Sequence, residues 1–279
     1  KYAYYRTHYL DRDTTQLPVD NRYWQQELYL STSNAFQLLS CWSVSASYDL
    51  RWNKLNADTY RFAFPTRLTQ MAAVATALDF GALRLQGSVV GAFVSDHVRQ
   101  GAAAHLQKYM PALFVSLYPF ASRAFSLHAF AKRSFRMPTF NDLYYTEVGN
   151  ANLRPESTNQ YDAGMEYNGG SDGGWLRAYG LRVDGYYNTV HDKIIAYPKG
   201  QQFRWTMLNL GEVEIKGVDA VLNTQFSLGK LEVTTKFQYT YQKAIDITDP
   251  ADTYYRDQIP YIPWHSGSAI LALFYKGWG

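Results

Sequence analysis

The sequence is poor in cysteine and in long apolar runs. Its single cysteine, Cys41, can form neither an internal disulfide nor a cysteine-based metal site. No run of about 18 apolar residues is present, so no transmembrane helix is expected. The richest apolar stretch, 71–80, is too short and contains Asp79. The chain begins KYAYYRTHYL, without an initiator methionine or a signal peptide, and we therefore expect it to be part of a larger protein.

A strong charge of one sign and the motifs of common enzymes are also missing. The formal net charge is +3 over 279 residues, which is too weak to indicate a nucleic-acid partner. The six histidines are scattered and show no zinc-binding spacing. The sequence holds no nucleophile elbow and no cofactor fingerprint. We therefore expect no enzymatic activity; a barrel lipase or protease would need Ser, His and Asp clustered at one rim.

Aromatic residues and alternating polarity are abundant. The chain has 24 Tyr and 7 Trp, and LEVTTKFQYTYQ (231–242) alternates apolar and polar residues as a β-strand does. About twelve such runs occur, and many exceed the five or six residues usual in globular strands. The predicted strands are 1–10, 22–34, 37–51, 62–79, 82–96, 109–118, 123–136, 157–168, 175–189, 206–227, 231–244 and 260–274.

The predicted connections alternate in length. Short turns are predicted at SNAF, DFGA, PFAS, NGGSDGG and SLGK, and long loops at 11–21, 52–61, 97–108, 137–156, 190–205 and 245–259. This pattern predicts an all-β fold, a transmembrane antiparallel β-barrel of the outer-membrane type. Its apolar face would meet lipid and its polar face a lumen. A soluble sandwich or propeller is the alternative, but strand length and charged residues at mid-strand disfavour it.

One stretch, FRMPTFNDLYYTEVGNANLRPE (135–156), breaks the alternation and reads as a long ordered loop. Together with YYNTVHDKII and WTMLNLGEVEIKGVDAVL downstream, it resembles the barrel of TonB-dependent outer-membrane receptors. Asp219 stands where that family usually has Glu. The matching residues are Arg136, Pro138, Leu143, Asn150, Asn152, Leu153, Pro155, Glu156, Glu166, Asn209 and Gly217.

The resemblance implies a plugged barrel of about 22 strands, of which residues 1–279 would form about half. The plug domain and the barrel ends would lie outside this chain. It also implies active transport across the outer membrane of a Gram-negative bacterium, powered by the TonB–ExbB–ExbD system acting on the plug. A ferric siderophore or cobalamin is the expected ligand. A haem- or glycan-importing receptor, with or without a surface lipoprotein, and a passive porin are the alternatives.

The motif residues are expected to be structural, with Arg136 pairing with Glu156 or Glu147. Ligand contacts are expected where loop tips combine aromatic and cationic side chains, which suit an anionic conjugated ligand or lipopolysaccharide headgroups. The predicted ligand-binding residues are Tyr144, Tyr145, Tyr197, Lys199, Phe203, Arg204 and Trp205.

Two further sets of polar residues have predicted roles. The loop DITDPADTYYRD carries four aspartates, which could bind calcium although the EF-hand spacing is absent; a solvated loop is the alternative. Polar residues on the lumen side are expected to meet the plug: Glu166, Asp219, Asn223, Glu232, Lys236 and Gln238.

Overall fold

The computed structural model describes residues 1–11, 19–60, 62–99, 104–144, 149–199 and 204–276. These residues form twelve antiparallel strands that pair in sequence order in one sheet. No helix among them is long and apolar enough to cross a membrane. The elements are β1 Tyr2–Asp11, β2 Val19–Leu39, β3 Trp42–Ala57, β4 Thr66–Asp79, β5 Leu83–His97, β6 Ala104–Leu117, β7 Phe125–Arg136, α1 Phe140–Tyr144, β8 Glu156–Gly169, β9 Leu176–Lys199, β10 Arg204–Leu228, β11 Leu231–Asp246 and β12 His265–Tyr275.

The two faces of the sheet differ in chemistry. Large apolar side chains stand exposed on the outer face, for example Met165 (46% exposed), Leu222 (37%) and Phe237 (49%). On the other face, the inner face, lie buried polar residues such as Arg67 and Asp184. Exposed apolar strands backed by a polar interior are typical of barrels embedded in lipid. The predicted all-β membrane-barrel fold is therefore confirmed.

The sheet curls with its inner face concave. Side chains of β1 and β2 line one cavity together with Met207 of β10, although β10 is eight strands away from β2 in the strand order. Connections after odd-numbered strands meet at one end of the sheet, the long-loop end, and those after even-numbered strands meet at the short-turn end. The buried apolar clusters involve loop residues such as Phe140, Leu153 and Ile259, so the apolar core sits at the long-loop end.

Two predicted connections are wrong. The stretch SNAF belongs to β2, and the turn lies instead at 40–41. Asn34 favours turns locally, but the ladder between β2 and β3 continues through the pairs Asn34↔Ala46 and Phe36↔Val44. Similarly, most of the predicted loop 190–205 is strand, because Val190 to Lys199 pair with Arg204 to Val213. Cross-strand pairing overrides local turn propensity in both places.

Other boundaries differ as well: residues 52–57 of the predicted loop 52–61 belong to β3, and β6 begins at Ala104, within the predicted loop 97–108. The predicted strands at 62–79 and 260–274 begin later, at Thr66 and His265, and the loop at 137–156 contains the short helix α1. Residues 247–264 form a loop, tied to the sheet through the isolated bridge Ile245↔Gln258.

Candidate functional site

Residues 137–144 and 149–155, here called the inner loop, fold over the inner face at the long-loop end. Its helix α1 starts with a reciprocal cap: the Thr139 backbone N–H donates to the Asp142 carboxylate at 2.9 Å, and the Asp142 N–H donates to the Thr139 hydroxyl at 3.2 Å. Such a cap satisfies backbone donors that the first helical turn would otherwise leave unpaired. Arg136 holds the same carboxylate at 3.0 Å.

Arg67 of β4 anchors the inner loop to the barrel wall. Its guanidinium donates two hydrogen bonds to the Asp96 carboxylate, both at 2.6 Å, and a third to the Pro138 carbonyl at 2.6 Å. The Arg67 guanidinium carbon, Cζ, lies over the Phe140 ring, 5.1 Å from the ring centroid. The side chains of Arg67 and Asp96 are only 10% and 12% exposed. Because a charge-assisted bidentate pair fixes both partners geometrically, this contact sets the position of the loop.

The other end of the inner loop is tied to β9 and β10 by asparagine side chains. Asn209 accepts from the Arg154 N–H at 2.8 Å and donates to the carbonyls of Arg154 (3.0 Å) and Asp192 (2.7 Å). Asn150 donates to the Met207 carbonyl at 3.0 Å and accepts from the Asn152 N–H at 3.0 Å. The two motif segments that are separate in sequence thus form one hydrogen-bonded unit.

Charged motif residues complete this unit. The Glu156 carboxylate accepts from the Ile194 N–H at 3.0 Å. Arg136 approaches it at 3.9 Å, which is weaker than the contact between Arg136 and Asp142. Arg154 forms an ion pair with Asp192 at 2.5 Å. Among the described residues Asp142 is the nearer carboxylate to Arg136, and sequence reasoning missed it although its place three residues after Thr139 fits a helix cap. The other predicted partner, Glu147, falls outside the described residues.

Apolar contacts carry the inner loop across the concave face. Phe140 packs with Tyr23, Leu55 and Ala57, whereas Leu143 packs with Leu153 and Ile194. Tyr144, half-buried, packs against both clusters. Burial raises the pKa of the Tyr144 phenol, and the Asp96 charge raises that pKa further, while Arg67 opposes the shift.

A cavity of about 430 Å³, the mouth pocket, lies beside α1. Phenol, hydroxyl, amide, carboxylate and thioether groups line it together with Leu55, so it presents a few hydrogen-bonding groups on a largely apolar wall. Pockets of this kind fix an orientation through a few polar groups on an apolar wall. Its lining residues are Tyr5, Thr7, Tyr23, Gln25, Leu55, Asn141, Asp142 and Met207.

Those predicted ligand-binding residues that the structure describes lie at the long-loop end but do not line the mouth pocket. Tyr144 belongs to the inner loop, Tyr197 and Lys199 end β9, and Arg204 and Trp205 begin β10. Tyr145 and Phe203 fall outside the described residues, so ligand binding by this set stays a prediction. Sequence reasoning missed Tyr5, Thr7 and Gln25, whose shared face and position beside a long loop were the available signal.

A polar network occupies the inner wall at mid-strand. His128 contacts the Asp184 carboxylate at 2.5 Å, and Arg182 donates to the same carboxylate at 2.7 Å and 3.0 Å. Asp162 joins this network: one side-chain nitrogen or oxygen atom from each of His128, Asp162 and Asp184 lies within 4.8 Å of the other two. In the described part of the chain this is the one group of three acidic or imidazole side chains that converge so closely. A Cβ on Gly164 would overlap both His128 and Asp184, so glycine makes room for the network.

The aspartates proposed as calcium ligands serve the turns of their own loop. Asp246, Asp249 and Asp252 each accept a hydrogen bond from the backbone N–H two residues on, at 2.8–3.0 Å. Asp257 donates its backbone N–H to the Tyr254 carbonyl at 3.0 Å. Such turns are a frequent role of aspartate. Calcium binding by this loop stays a prediction.

Solved structures share this architecture. The copper transporter OprC aligns with a TM-score of 0.75 at 17% identity, over 99% of this chain and 46% of that one. The hemophore receptor HasR of Serratia marcescens, in complex with its hemophore HasA and heme, aligns with a TM-score of 0.66 at 14% identity, over 97% of this chain and 51% of that one. At such identities the likeness concerns the fold alone.

Sequence comparison adds relatives of known name. The vitamin B12 transporter BtuB of Vibrio vulnificus is 31% identical over 98 residues, 35% of this chain and 14% of that protein. The vitamin B12 transporter BtuB of Photobacterium profundum is 30% identical over 116 residues, 39% of this chain and 17% of that protein. The matches thus span under a fifth of these curated relatives.

The whole of residues 1–279 matches the family described as TonB dependent receptor-like, beta-barrel. Its members are transporters and receptors of the Gram-negative outer membrane, not enzymes. The predicted resemblance is confirmed: the chain belongs to the TonB-dependent receptor-like β-barrel family.

Proposed function

We propose that this chain forms part of the barrel of an energy-coupled transporter in the outer membrane of a Gram-negative bacterium. Its long-loop end faces outside and captures a large, scarce ligand. A plug domain and further strands complete the receptor, and TonB–ExbB–ExbD drives transport through that plug. The supporting observation is the inner loop, which Arg67 and Asn209 fasten across the concave face beside the mouth pocket.

A ferric siderophore or cobalamin is the ligand class proposed. The curated relatives are named vitamin B12 transporters, and the structural neighbours include a ferric citrate transporter, FecA. Both ligand classes are large and carry many hydrogen-bonding groups. Tyr5, Thr7 and Asn141 offer such groups at an exposed position in the mouth pocket.

The inner wall of β7, β8 and β9 supports the same proposal at mid-strand. Asp162 has a buried carboxylate oxygen, Oδ1, without a hydrogen-bond partner among the residues that the structure describes. A buried unpaired acceptor is costly. A donor from the plug, such as an arginine or lysine side chain, would remove that cost and seal the lumen beside His128, Arg182 and Asp184.

Binding by the full-length receptor tests the mouth pocket. Cyanocobalamin and a panel of ferric siderophores would be titrated while the intrinsic fluorescence of the receptor is followed. Tyr5→Ala and Asn141→Ala should each weaken ligand binding by about tenfold, which corresponds to one lost hydrogen bond with its contact area. Tyr4→Ala is the matched control. Tyr4 is next to Tyr5 in the sequence and similarly exposed, but its side chain lies on the outer face, away from the mouth pocket.

Equal ligand affinities of the Tyr5→Ala and Tyr4→Ala receptors would show that the mouth pocket does not take part in ligand capture.

A second assay separates active transport from a passive pore. Uptake of the radiolabelled ligand into cells should stop when an uncoupler dissipates the proton gradient, whereas binding at the cell surface should persist. Uptake that continues without the gradient would contradict energy coupling.

A further inference from the structure

Two lysines stand directly opposite each other on the outer face. Lys216 of β10 pairs with Lys243 of β11 in the strand register. Both belong to the alternating set that faces outward, together with Val218 and Tyr241. Like charges directly opposite on neighbouring strands destabilise a sheet. An anion that lies between the two ammonium groups would turn this repulsion into attraction.

The position of the two lysines along their strands indicates whether they lie beside acyl chains or beside lipid headgroups. Lys216 lies twelve positions before Leu228, the last residue of β10. At about 3.3 Å per residue and a tilt of about 40°, it stands ~30 Å above the short-turn end. The apolar band of such barrels is about 25 Å tall. Lys216 and Lys243 therefore reach just beyond the band, at the level of lipid headgroups.

Aromatic side chains mark both boundaries of this band. At the short-turn end, the rings of Trp175 and Phe226 stack at 5.5 Å. At the other boundary, Tyr161 and Tyr187 lie in the same register row as Lys216. Such aromatic girdles occur at the two membrane interfaces. The lysine pair thus sits within the girdle on the long-loop side.

The groups around the pair leave it positive. Glu214 accepts from Lys216 at 3.0 Å and from the Tyr187 hydroxyl at 3.1 Å, so it offsets one charge. The Lys243 ammonium lies 5.7 Å from the Trp264 ring centroid. The other charged or titratable neighbours include His265, which contacts Tyr239, and Arg256, whose charge acts on Glu214. Glu212, the next outward residue of β10, contacts His191 at 3.1 Å. Among the described groups of this patch, the cations Lys216, Lys243 and Arg256 outnumber the carboxylates Glu214 and Glu212.

We propose that Lys216 and Lys243 bind the phosphate of an outer-leaflet lipid headgroup, with its acyl chains lying along Val218 and Tyr241 below. Charge complementarity and the depth of the pair select this occupant. A groove between Tyr161, Tyr187 and Lys216 continues to Lys243 along the same face. The site shares the membrane orientation of the proposed function but does not depend on the transported ligand.

Binding of a defined lipid to the full-length receptor tests the site. The probe is diphosphoryl lipid A in detergent, compared with the same lipid after removal of both phosphates. One lysine near an anionic headgroup contributes about fivefold in affinity, so the double variant K216Q/K243Q should bind the phosphorylated lipid at least about tenfold more weakly. The control K132Q/K236Q makes the same charge change on the inner face and should bind like the wild type.

Three results would overturn the proposal. The first is equal lipid binding by the two double variants. The second is equal binding of the phosphorylated and the dephosphorylated lipid by the wild type. The third is full displacement of the lipid by millimolar inorganic phosphate. The variant K243E gives an independent measurement, because it places opposite charges face to face. It should raise the melting temperature in lipid-free detergent and weaken binding of lipid A. Ligand uptake by K216Q/K243Q should be unchanged, which separates this site from the mouth pocket.

Discussion

Replacing Arg67 by methionine should release the inner loop from the barrel wall. Methionine keeps much of the aliphatic volume but removes the bidentate contact with Asp96 and the hydrogen bond to the Pro138 carbonyl. Breaking a buried ion pair by removing one partner costs about 3–5 kcal/mol, since the other charge stays buried and unpaired. The population of the released loop should then rise by more than about a hundredfold.

Amide hydrogen exchange in the purified full-length receptor measures this population. Exchange should accelerate at Leu143 and Asn150, whose N–H groups bond to Thr139 and Asp142 within the inner loop. Arg84→Met is the matched control. Arg84 pairs with Asp79 at 2.8 Å, but the two side chains are 42% and 46% exposed. An exposed pair contributes about 0–1 kcal/mol, so exchange in the inner loop should stay at the wild-type rate.

Unchanged exchange in Arg67→Met would refute the anchoring role of Arg67. A second variant separates the loss of the Arg67–Asp96 attraction from the cost of leaving the Asp96 carboxylate buried and unpaired. In Arg67→Met/Asp96→Leu no buried charge remains from this pair, and the double variant should recover part of the protection. If the double variant exchanges faster than Arg67→Met, the stranded charge is not the main cost.

Three further predictions concern stability. Asn209→Ala removes three hydrogen bonds, two to Arg154 of the inner loop and one to Asp192 of β9, so residues 150–155 should lose about 2 kcal/mol of exchange protection. Asn223→Ala, on the inner face, is the control, and equal losses would contradict the prediction. Gly164→Ala should lower the folded yield of the receptor because its Cβ would overlap buried side chains. Gly185→Ala, whose Cβ would meet its nearest atom at 3.9 Å, should fold normally, and similar yields would argue against a packing role for Gly164. Because the folded-state pKa of Tyr144 is raised above 10.0, the loop should be fully stable below about pH 10 and lose stability above it. Tyr144→Phe should abolish that alkaline loss of exchange protection, and a persistent loss would assign it to another group.

The strands could be predicted from the sequence because each repeats a local rule. A lipid-facing strand must alternate apolar and polar residues along its whole length, and LEVTTKFQYTYQ does so, matching β11. The rule fails where strands leave the membrane. Residues 190–199 lack a clean alternation yet extend β9, because they pair with β10. Nothing local in SNAF shows that Ser33 and Asn34 face partners on β3.

The candidate site could be predicted only in part. The motif residues Asn150, Asn209 and Glu156 are recognisable in sequence, but their partners are backbone groups on distant strands. Arg67 lies 71 residues before Pro138, and no sequence pattern links the two. The mouth pocket likewise depends on how far the sheet curls, a global property that brings Tyr5 and Met207 together.

The length of the β9–β10 hairpin bears on which part of the protein other molecules can contact. Its strands have 24 and 25 residues, so each is about 80 Å long and, tilted, stands roughly 30 Å above the apolar band. Backbone pairing from Lys199↔Arg204 downward keeps it upright, largely independently of the side chains it displays. If the long-loop end faces outside as proposed, the upper part of this hairpin is the described segment that an antibody or an adsorbing phage would meet first. Substitutions there would leave the inner loop and the mouth pocket unchanged, because their contacts lie lower on the sheet.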